Sequence, residues 1–365
     1  MHWTIAAPFI HDRDSATAAW LTPYVSGNRH QFSVVPRRVP LASWHERTSS
    51  FTSRDEWVQH WHQGSDALKE AKGGIITVFP QLPSIVGLQK QLFCKQVPVV
   101  AWLFNVGTCS EGPRRWLAQA SLQGIDRFIV HTRCERQMYS EWLGFPIDRF
   151  EFVPYQVPEI PVTYKENTTQ PFIAALGSAH RDFPTLFQAV EELNLPTVVV
   201  SGKRSLEGLT IPPQVKAPLD ATRQDCLRLA QEARISVVPL IPNEKVTAAG
   251  QVTIVEAMRM GRAVIATRCN GTDDYIIHGE TGLLIEPHSV EALKQAIQLL
   301  WDDADLRNRI ARNAQQYATD HFSDEAAGAA LGRILDEVED TFRYKAGARA
   351  MAIDEANASS QVTPP

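Results

Sequence analysis

The sequence lacks several features that mark large classes of protein. It carries 36 Lys and Arg against 41 Asp and Glu, a net charge of −5, and so has no basic excess of the kind seen in nucleic-acid-binding proteins. No stretch approaches the ~18 uninterrupted apolar residues of a transmembrane helix. The N-terminus has no basic region followed by a long apolar core, which argues against a secretory signal. We therefore expect a cytoplasmic protein that does not bind nucleic acid.

Cysteine is scarce, and its spacing suits neither disulfides nor metal. The five cysteines are scattered, odd in number and without CxxC spacing. This pattern fits a reducing compartment and argues against a disulfide framework or a zinc site. The second half also lacks an Asp-x-Asp motif at the end of an expected strand, and a turn explains the pair Asp273-Asp274. We expect no metal and no other cofactor.

The sequence does contain the composition and periodicity of a soluble two-domain protein. Its hydrophobic share is 44%, its charged share is 21%, and 365 residues suffice for two separate cores. Apolar runs alternate with helical patterns throughout, which indicates βα units and parallel sheets. The expected units are an N-terminal domain at 1–160, a C-terminal domain at 161–325, a C-terminal helix at 326–345 and a disordered tail at 346–365, with a proline-rich linker starting at 157.

The expected elements follow from these patterns. Strands are predicted at 4–9, 32–35, 74–78, 97–104, 127–131 and 150–153, then at 172–176, 197–201, 235–239, 263–266 and 282–287. Helices are predicted at 15–24, 55–71, 82–95, 113–123, 134–143, 183–193, 221–232 and 289–301, with one long charged helical stretch at 305–344.

The most informative segment is 250–287. A short turn at Gly250 runs into a helix that carries Glu256, followed by an apolar strand and a glycine-rich loop. A helix that opens directly after a glycine turn presents unpaired N–H groups and the positive end of its dipole, which suits a phosphate. Glu256, one turn further in, is placed to accept hydrogen bonds from a ribose diol. This order of turn, helix, strand and loop predicts a nucleotide-diphosphate site. The alternative is a purely structural helix, in which the Glu256 side chain is solvated or caps the helix.

This segment resembles the donor-binding region of retaining GT-B glycosyltransferases of family 4, the glycosyl transferases group 1. The residues Glu256-Ala257-Met258 and the segments 261–267 and 279–284 match the family pattern, whereas Ala248 replaces its first Glu. The resemblance implies an α/β GT-B fold, in which two Rossmann-like domains face a central cleft and a C-terminal helix crosses back. The N-terminal domain would hold the acceptor, and the C-terminal domain would hold the nucleotide sugar.

The resemblance also implies roles near the diphosphate. Arg181 falls where similar enzymes have a Lys, and Ser178 occupies the place of an Arg. Lys203 and Arg204 are candidates for the missing charge, with a surface location equally compatible. For Arg181 the alternative is a surface ion pair with Asp182 or a neighbouring residue. The expected donor-binding residues are Gly177, Lys203, Thr247, Gly250, Gln251, Val252, Thr253 and Glu256.

In the first half, Asn105 stands where relatives place a His near the sugar. An amide can orient a hydroxyl but cannot take up a proton. The alternative for Asn105 is a turn residue that closes its strand. With Arg181 and Glu256, Asn105 completes the expected catalytic set.

The expected function is transfer of a hexose, with retention, from a UDP- or GDP-sugar to a carbohydrate or lipid hydroxyl. Since Ala248 and Asn105 both replace family residues, the alternative is a catalytically weak or inactive nucleotide-sugar-binding protein. An epimerase or hydrolase of the same fold would need a carboxylate that Ala248 removes.

A basic and aromatic segment at 36–62 includes Trp57 and Trp61 at i, i+4 spacing. Such a segment can mark peripheral contact with the inner face of a membrane, which would favour a lipid acceptor. Packing of these tryptophans against the N-terminal sheet is the alternative that we favour.

Overall fold

The computed structural model of the protein describes residues 1–14, 19–39, 52–243 and 248–360, with side chains to residue 348. Twelve strands lie within this part of the chain. They are β1 (His2–Ala6), β2 (Gln31–Val35), β3 (Gly74–Val78), β4 (Val99–Trp102), β5 (Arg127–Val130), β6 (Phe150–Phe152), β7 (Ile173–Leu176), β8 (Thr197–Val200), β9 (Val215–Lys216), β10 (Ile235–Val238), β11 (Val264–Thr267) and β12 (Leu283–Ile285).

The strands form two six-stranded sheets, and every pair of neighbours is parallel. The N-terminal sheet has the order β2-β1-β3-β4-β5-β6. The C-terminal sheet has the order β12-β11-β10-β7-β8-β9, so the strand order reverses between β7 and β10. The predicted α/β architecture of two Rossmann-like domains is therefore confirmed.

Helices cover both faces of each sheet. They are α1 (Arg54–Glu70), α2 (Gln81–Leu92), α3 (Pro113–Leu122), α4 (Arg133–Leu143), α5 (Phe183–Leu193), α6 (Lys203–Leu206), α7 (Arg223–Glu232), α8 (Gln251–Arg259), α9 (Val290–Asp302), α10 (Ala304–His321) and α11 (Asp324–Ser360). No helix of the described residues is long and apolar enough to cross a bilayer.

The strands form where apolar, often β-branched residues run without interruption, because both faces of a parallel sheet are covered. All five residues of β3 and all four of β10 are buried. Several helices begin at side chains that cap their first turn, such as Thr132 before α4 and Thr222 before α7. Local sequence therefore sets most element boundaries.

Some expectations were wrong in detail. The stretch at 305–344 is two helices, α10 and α11, because the buried Phe322 ends the first and its carbonyl accepts from Val157 N at 2.9 Å. Helix α11 continues to Ser360 through an alanine-rich sequence that favours helix, beyond the predicted end at 345. The short strand β9 was not predicted. Of the helix predicted at 15–24, residues 15–18 lie outside the described part, and Thr22–Tyr24 forms a 3₁₀ turn.

Helix α11 crosses back from the C-terminal domain to the N-terminal one. Leu331, Ile334 and Leu335 are buried in the same core as Trp3 of β1. Gly328 lies directly against Tyr24, where a Cβ would overlap the tyrosine Cβ and come within 2.9 Å of its carbonyl carbon. This close approach requires glycine at position 328.

We predict that Gly328→Ala destabilises the protein by about 2 kcal/mol, because the added methyl group forces α11 away from Tyr24. Gly347→Ala in the same helix is the matched control, since nothing lies within 4 Å of its Cβ position. The control should gain up to about 1 kcal/mol from helix propensity. Denaturant unfolding of both variants measures the difference, and equal stabilities would contradict this packing.

Candidate functional site

The predicted donor residues converge at the point where the C-terminal sheet reverses its strand order. Gly177 follows β7, and the turn at 248–250 lies between β10 and helix α8. Strands β7 and β10 are neighbours in the sheet. In open parallel sheets, ligands bind outside the carboxyl ends of the strands at such a point.

A buried guanidinium lies at this edge. Arg181 is 8% exposed and donates to the carbonyl oxygens of Leu176 and Ala179, at 3.1 and 2.7 Å, and to Thr253 Oγ1 at 3.1 Å. Burial lowers its pKa to about 10, so the group stays charged at neutral pH. No carboxylate of the described residues lies within ion-pair distance of it. A buried cation held only by neutral acceptors marks a place for an anion.

The suggested ion pair between Arg181 and Asp182 does not form. The Asp182 carboxylate instead caps α5, accepting from Thr185 N at 3.2 Å and from Thr185 Oγ1 at 2.8 Å. His288 Nδ1 lies 2.9 Å from the same carboxylate. The alternative of a surface ion pair for Arg181 is therefore wrong.

Gly177 makes room for this guanidinium. Its φ is +98°, a conformation that favours glycine, and a Cβ there would overlap Arg181 Nη2 and lie 3.3 Å from Thr253 Oγ1. The structure thus brings Gly177, Arg181 and Thr253 together, as the sequence predicted.

The start of helix α8 faces the same space. Gly250 is its N-cap residue with φ +91°, and no side chain caps the helix. Gln251 is buried and donates to Asn270 O at 2.6 Å, while Val252 is 39% exposed. No side chain of the described residues accepts from the first amides of α8, which can therefore donate to an anion. Thr247, also predicted here, lies outside the described residues.

Glu256 is neither solvated nor a cap. It forms a two-point ion pair with Arg223 at the start of α7, in which Arg223 Nη1 lies 3.0 Å from Glu256 Oε2. No sequence pattern pointed to Arg223, because the ion pair joins two separate helices. Both residues line a cavity of about 170 Å³ together with Ala174, Leu176, Gly177, Cys226, Leu227, Ala230, Ser236, Val237, Val238, Val252, Thr253, Ala257 and Met260.

Residues 202–205 lie against Ser178 in the loop after β7. Ser178 Oγ accepts from Gly202 N at 2.6 Å and lies 3.2 Å from Ser201 Oγ. Lys203 is exposed at the start of α6, and no carboxylate of the described residues pairs with it. Lys203 is thus an exposed cation beside the loop that holds Ser178.

Asn105 lies at the interface between the domains, where its side chain contacts main chain. Its Nδ2 donates to Ala248 O at 3.2 Å, and its Oδ1 accepts from Gly107 N at 2.8 Å. Asn105 therefore both contacts the other domain across the cleft and closes the turn at the end of β4.

His131 also lies at the domain interface, buried at the end of β5. Its Nδ1 is 2.8 Å from Val153 O, and its carbonyl accepts from Tyr275 Oη of the other domain at 2.6 Å. Burial lowers the pKa of His131 to about 4. The imidazole is neutral at physiological pH, and the main-chain carbonyl of His131 helps join the two domains.

The aromatic segment of the N-terminal domain is only partly described, since 40–51 lies outside. Trp57 and Trp61 on α1 are 40% and 38% exposed, so neither is fully packed against the sheet. Arg37 is buried.

Comparison with known proteins agrees with this geometry. Residues 159–317 match the family model described as Glycosyl transferases group 1. This segment of the chain is thus similar to the glycosyl transferases group 1 domain. The match spans the loop after β7, the cavity and helix α8, which are the elements described above.

Among curated relatives of this group 1 domain is the alpha-D-kanosaminyltransferase of Streptomyces kanamyceticus. It is 34% identical over 87 residues, 24% of this chain and 22% of that protein. The D-inositol 3-phosphate glycosyltransferase of Corynebacterium glutamicum is 36% identical over 83 residues, 23% of this chain and 20% of that protein. The chain thus spans about a fifth of the length of these relatives.

Solved structures show the two-domain GT-B fold over nearly the whole chain. Sucrose-phosphate synthase from Thermosynechococcus elongatus superimposes with a TM-score of 0.66 and 17% identity, covering 93% of this chain and 99% of that one. Anabaena Alr3699/HepE in complex with UDP gives a TM-score of 0.64 and 14% identity, covering 92% and 100%. At these identities the likeness establishes the fold.

The pKa of His131 generates a prediction about stability. Because the folded pKa is about 4 and the usual value is 6.5, the unfolded chain binds a proton first as the pH falls. Stability is therefore lost between pH 6.5 and 4, by about 2 kcal/mol at pH 5. Urea unfolding at pH 7.5 and pH 5.0 should show this loss in the wild type, with a smaller one in His131→Asn. Parallel pH dependence in the two proteins would contradict a buried neutral imidazole.

Proposed function

We propose that the protein is a retaining glycosyltransferase that moves a hexose from a UDP- or GDP-sugar to a carbohydrate or lipid hydroxyl. The observation that carries this is Arg181, a buried charge that pairs with no carboxylate of the described residues and lies beside the start of α8, whose N-cap residue is Gly250. The leaving group of sugar transfer is a nucleoside diphosphate, which supplies the missing negative charge. The group 1 domain and the fold support the same reaction class.

Each residue of the site has a part in holding that leaving group. The Arg181 guanidinium and the amides of Val252 and Thr253 stabilise the diphosphate as charge develops on it. Lys203, exposed nearby, is the second cation. Glu256 accepts from the ribose hydroxyls once Arg223 releases it. No metal enters this scheme, because fixed cations and amides meet the diphosphate charge.

Retention is proposed from the resemblance to family 4. In such a reaction the departing phosphate itself takes the proton of the acceptor hydroxyl, and the new bond forms on the face that the old one leaves. No protein carboxylate is then needed beside the anomeric carbon, which is compatible with Ala248. The bound UDP of Anabaena Alr3699/HepE supports a nucleotide-sugar donor for this chain.

A second candidate is a protein that binds the nucleotide sugar without turning it over. Ala248, in place of the family carboxylate, is the observation that favours it. A lipid acceptor would require contact with the inner face of a membrane, for which the half-exposed Trp57 and Trp61 offer apolar surface.

A donor screen separates the two candidates. Purified protein is incubated with UDP-, GDP- and ADP-sugars, with and without carbohydrate and lipid-linked acceptors, and free nucleotide is measured. We expect one donor to release nucleotide and to do so faster with acceptor present. Binding by calorimetry without any release would instead establish the binding protein.

The role of Arg181 is tested with Arg181→Met, which keeps the apolar stem and removes the charge. The exposed Arg228 on α7 pairs with Glu232, and Arg228→Met is the matched control. We expect Arg181→Met to lower turnover by a factor of about 10² to 10³, the usual effect of losing one preorganised donor. Its melting temperature without ligand should not fall, because it no longer buries an uncompensated charge.

Saturating nucleotide should stabilise the wild type and the control by about 2.7 kcal/mol at 100 times Kd, but not Arg181→Met. Full turnover in Arg181→Met, or equal stabilisation by nucleotide, would contradict the assigned role.

A further inference from the structure

The main chain of Ala248 is held at both ends by the opposite domain. Its N–H donates to Glu135 Oε1 at 3.2 Å, and its carbonyl accepts from Asn105 Nδ2 at 3.2 Å. Glu135 and Asn105 belong to the N-terminal domain, whereas Ala248 lies three residues before α8. We name this arrangement the Ala248 clamp: the Ala248 peptide groups with Glu135 and Asn105.

Glu135 is fully buried, and both of its carboxylate oxygens accept hydrogen bonds from protein groups. Its Oε2 accepts from His131 N at 2.8 Å and from Thr132 N at 3.0 Å, and its Oε1 accepts from Tyr139 Oη at 3.2 Å as well as from Ala248 N. Four donors occupy the two oxygens, so the carboxylate is committed to protein groups. It is suited to holding a segment in place and not to touching a substrate.

Contacts between the start of α4 and the loop after β11 reinforce the clamp. Arg133 N, in the first turn of α4, donates to Asp274 Oδ2 at 2.7 Å, and the Arg133 guanidinium pairs with the same carboxylate. Gly271 approaches Thr132 so closely that a Cβ would overlap its Cγ2. The start of α4 is therefore docked against the C-terminal domain at two loops that follow neighbouring strands, β10 and β11.

We propose that Glu135 and Asn105 are positioning residues that fix the turn before α8 from across the cleft, so that diphosphate binding depends on contact between the domains. The proposal rests on the proposed function, since it takes the first turn of α8 as the diphosphate site. The turn passes through Gly250 at φ +91°, which gives this segment wide conformational freedom when nothing holds it. Holding Ala248 at both polar groups removes that freedom before the ligand arrives.

The clamp also assigns a structural role to the main chain at position 248. Where the family resemblance expects a carboxylate side chain, the residue is Ala, and its peptide groups join the two domains.

Two variants and a matched control test this. Glu135→Gln keeps the volume but turns an NH₂ group toward at least one of the four donors, and Asn105→Ala removes the other half of the clamp. Glu56→Gln is the control, because Glu56 forms the same capping box with Ser53 at the start of α1 that Glu135 forms with Thr132. The measurements are hydrogen–deuterium exchange without ligand and the Kd of UDP, GDP and ADP by calorimetry.

In Glu135→Gln and Asn105→Ala we expect the peptide that contains Ala248 to exchange at least tenfold faster than in the wild type. The Kd of the bound nucleotide should rise at least tenfold, which corresponds to about 1.4 kcal/mol. In turnover assays the KM for the donor should rise by the same factor and kcat should change less, because in this proposal both residues act on the donor site through the turn before α8. Glu56→Gln should behave as the wild type in all three.

If Asn105→Ala or a folded Glu135→Gln shows the wild-type rate of hydrogen–deuterium exchange at Ala248, or the wild-type Kd, the clamp proposal is overturned. The proposed function would then still stand. Should Glu135→Gln fail to fold, Asn105→Ala carries the test. Failure of the wild type to bind UDP, GDP or ADP would instead overturn the proposed function and the clamp's role in it together.

Discussion

The site depends on one electrostatic constraint, the burial of the Arg181 charge, which has no carboxylate partner in the described part of the chain. Taking a guanidinium out of water costs several kcal/mol unless an opposite charge offsets the loss. Among the described residues the offset comes from neutral acceptors, which include Leu176 O and Thr253 Oγ1. Gly177 and the start of α8 complete a surface that a diphosphate would neutralise. The fold serves this surface by bringing β7 and β10 together where the strand order reverses.

The remaining interactions organise access to that surface. Glu256 pairs with Arg223, so in the proposed complex the ribose would replace Arg223 as a partner of this carboxylate. The start of α4 reaches across to the turn before α8 and to Asp274. Helix α11 returns from the second domain and packs beneath the first. The two domains are thus joined both at the site and behind it.

Much of this could be predicted from the sequence, because the signals are local. Apolar runs located the strands within a few residues, and the glycine turn before Glu256 located α8. Arg223 and Glu135 could not be found in this way, since their partners lie 33 and 113 residues away along the chain. The break at Phe322 was missed for a related reason: the residue suits a helix pattern, and only its burial against the linker ends α10. The extension of α11 to Ser360 was missed because a small, polar composition also fits disorder.

The most direct measurement is a crystal structure of the protein with a bound nucleoside diphosphate. We predict that diphosphate oxygens lie within hydrogen-bond distance of the Arg181 guanidinium and of the Val252 and Thr253 amides. The ribose hydroxyls should donate to the Glu256 carboxylate. A nucleotide seated elsewhere, with Arg181 still held only by Leu176, Ala179 and Thr253, would contradict it.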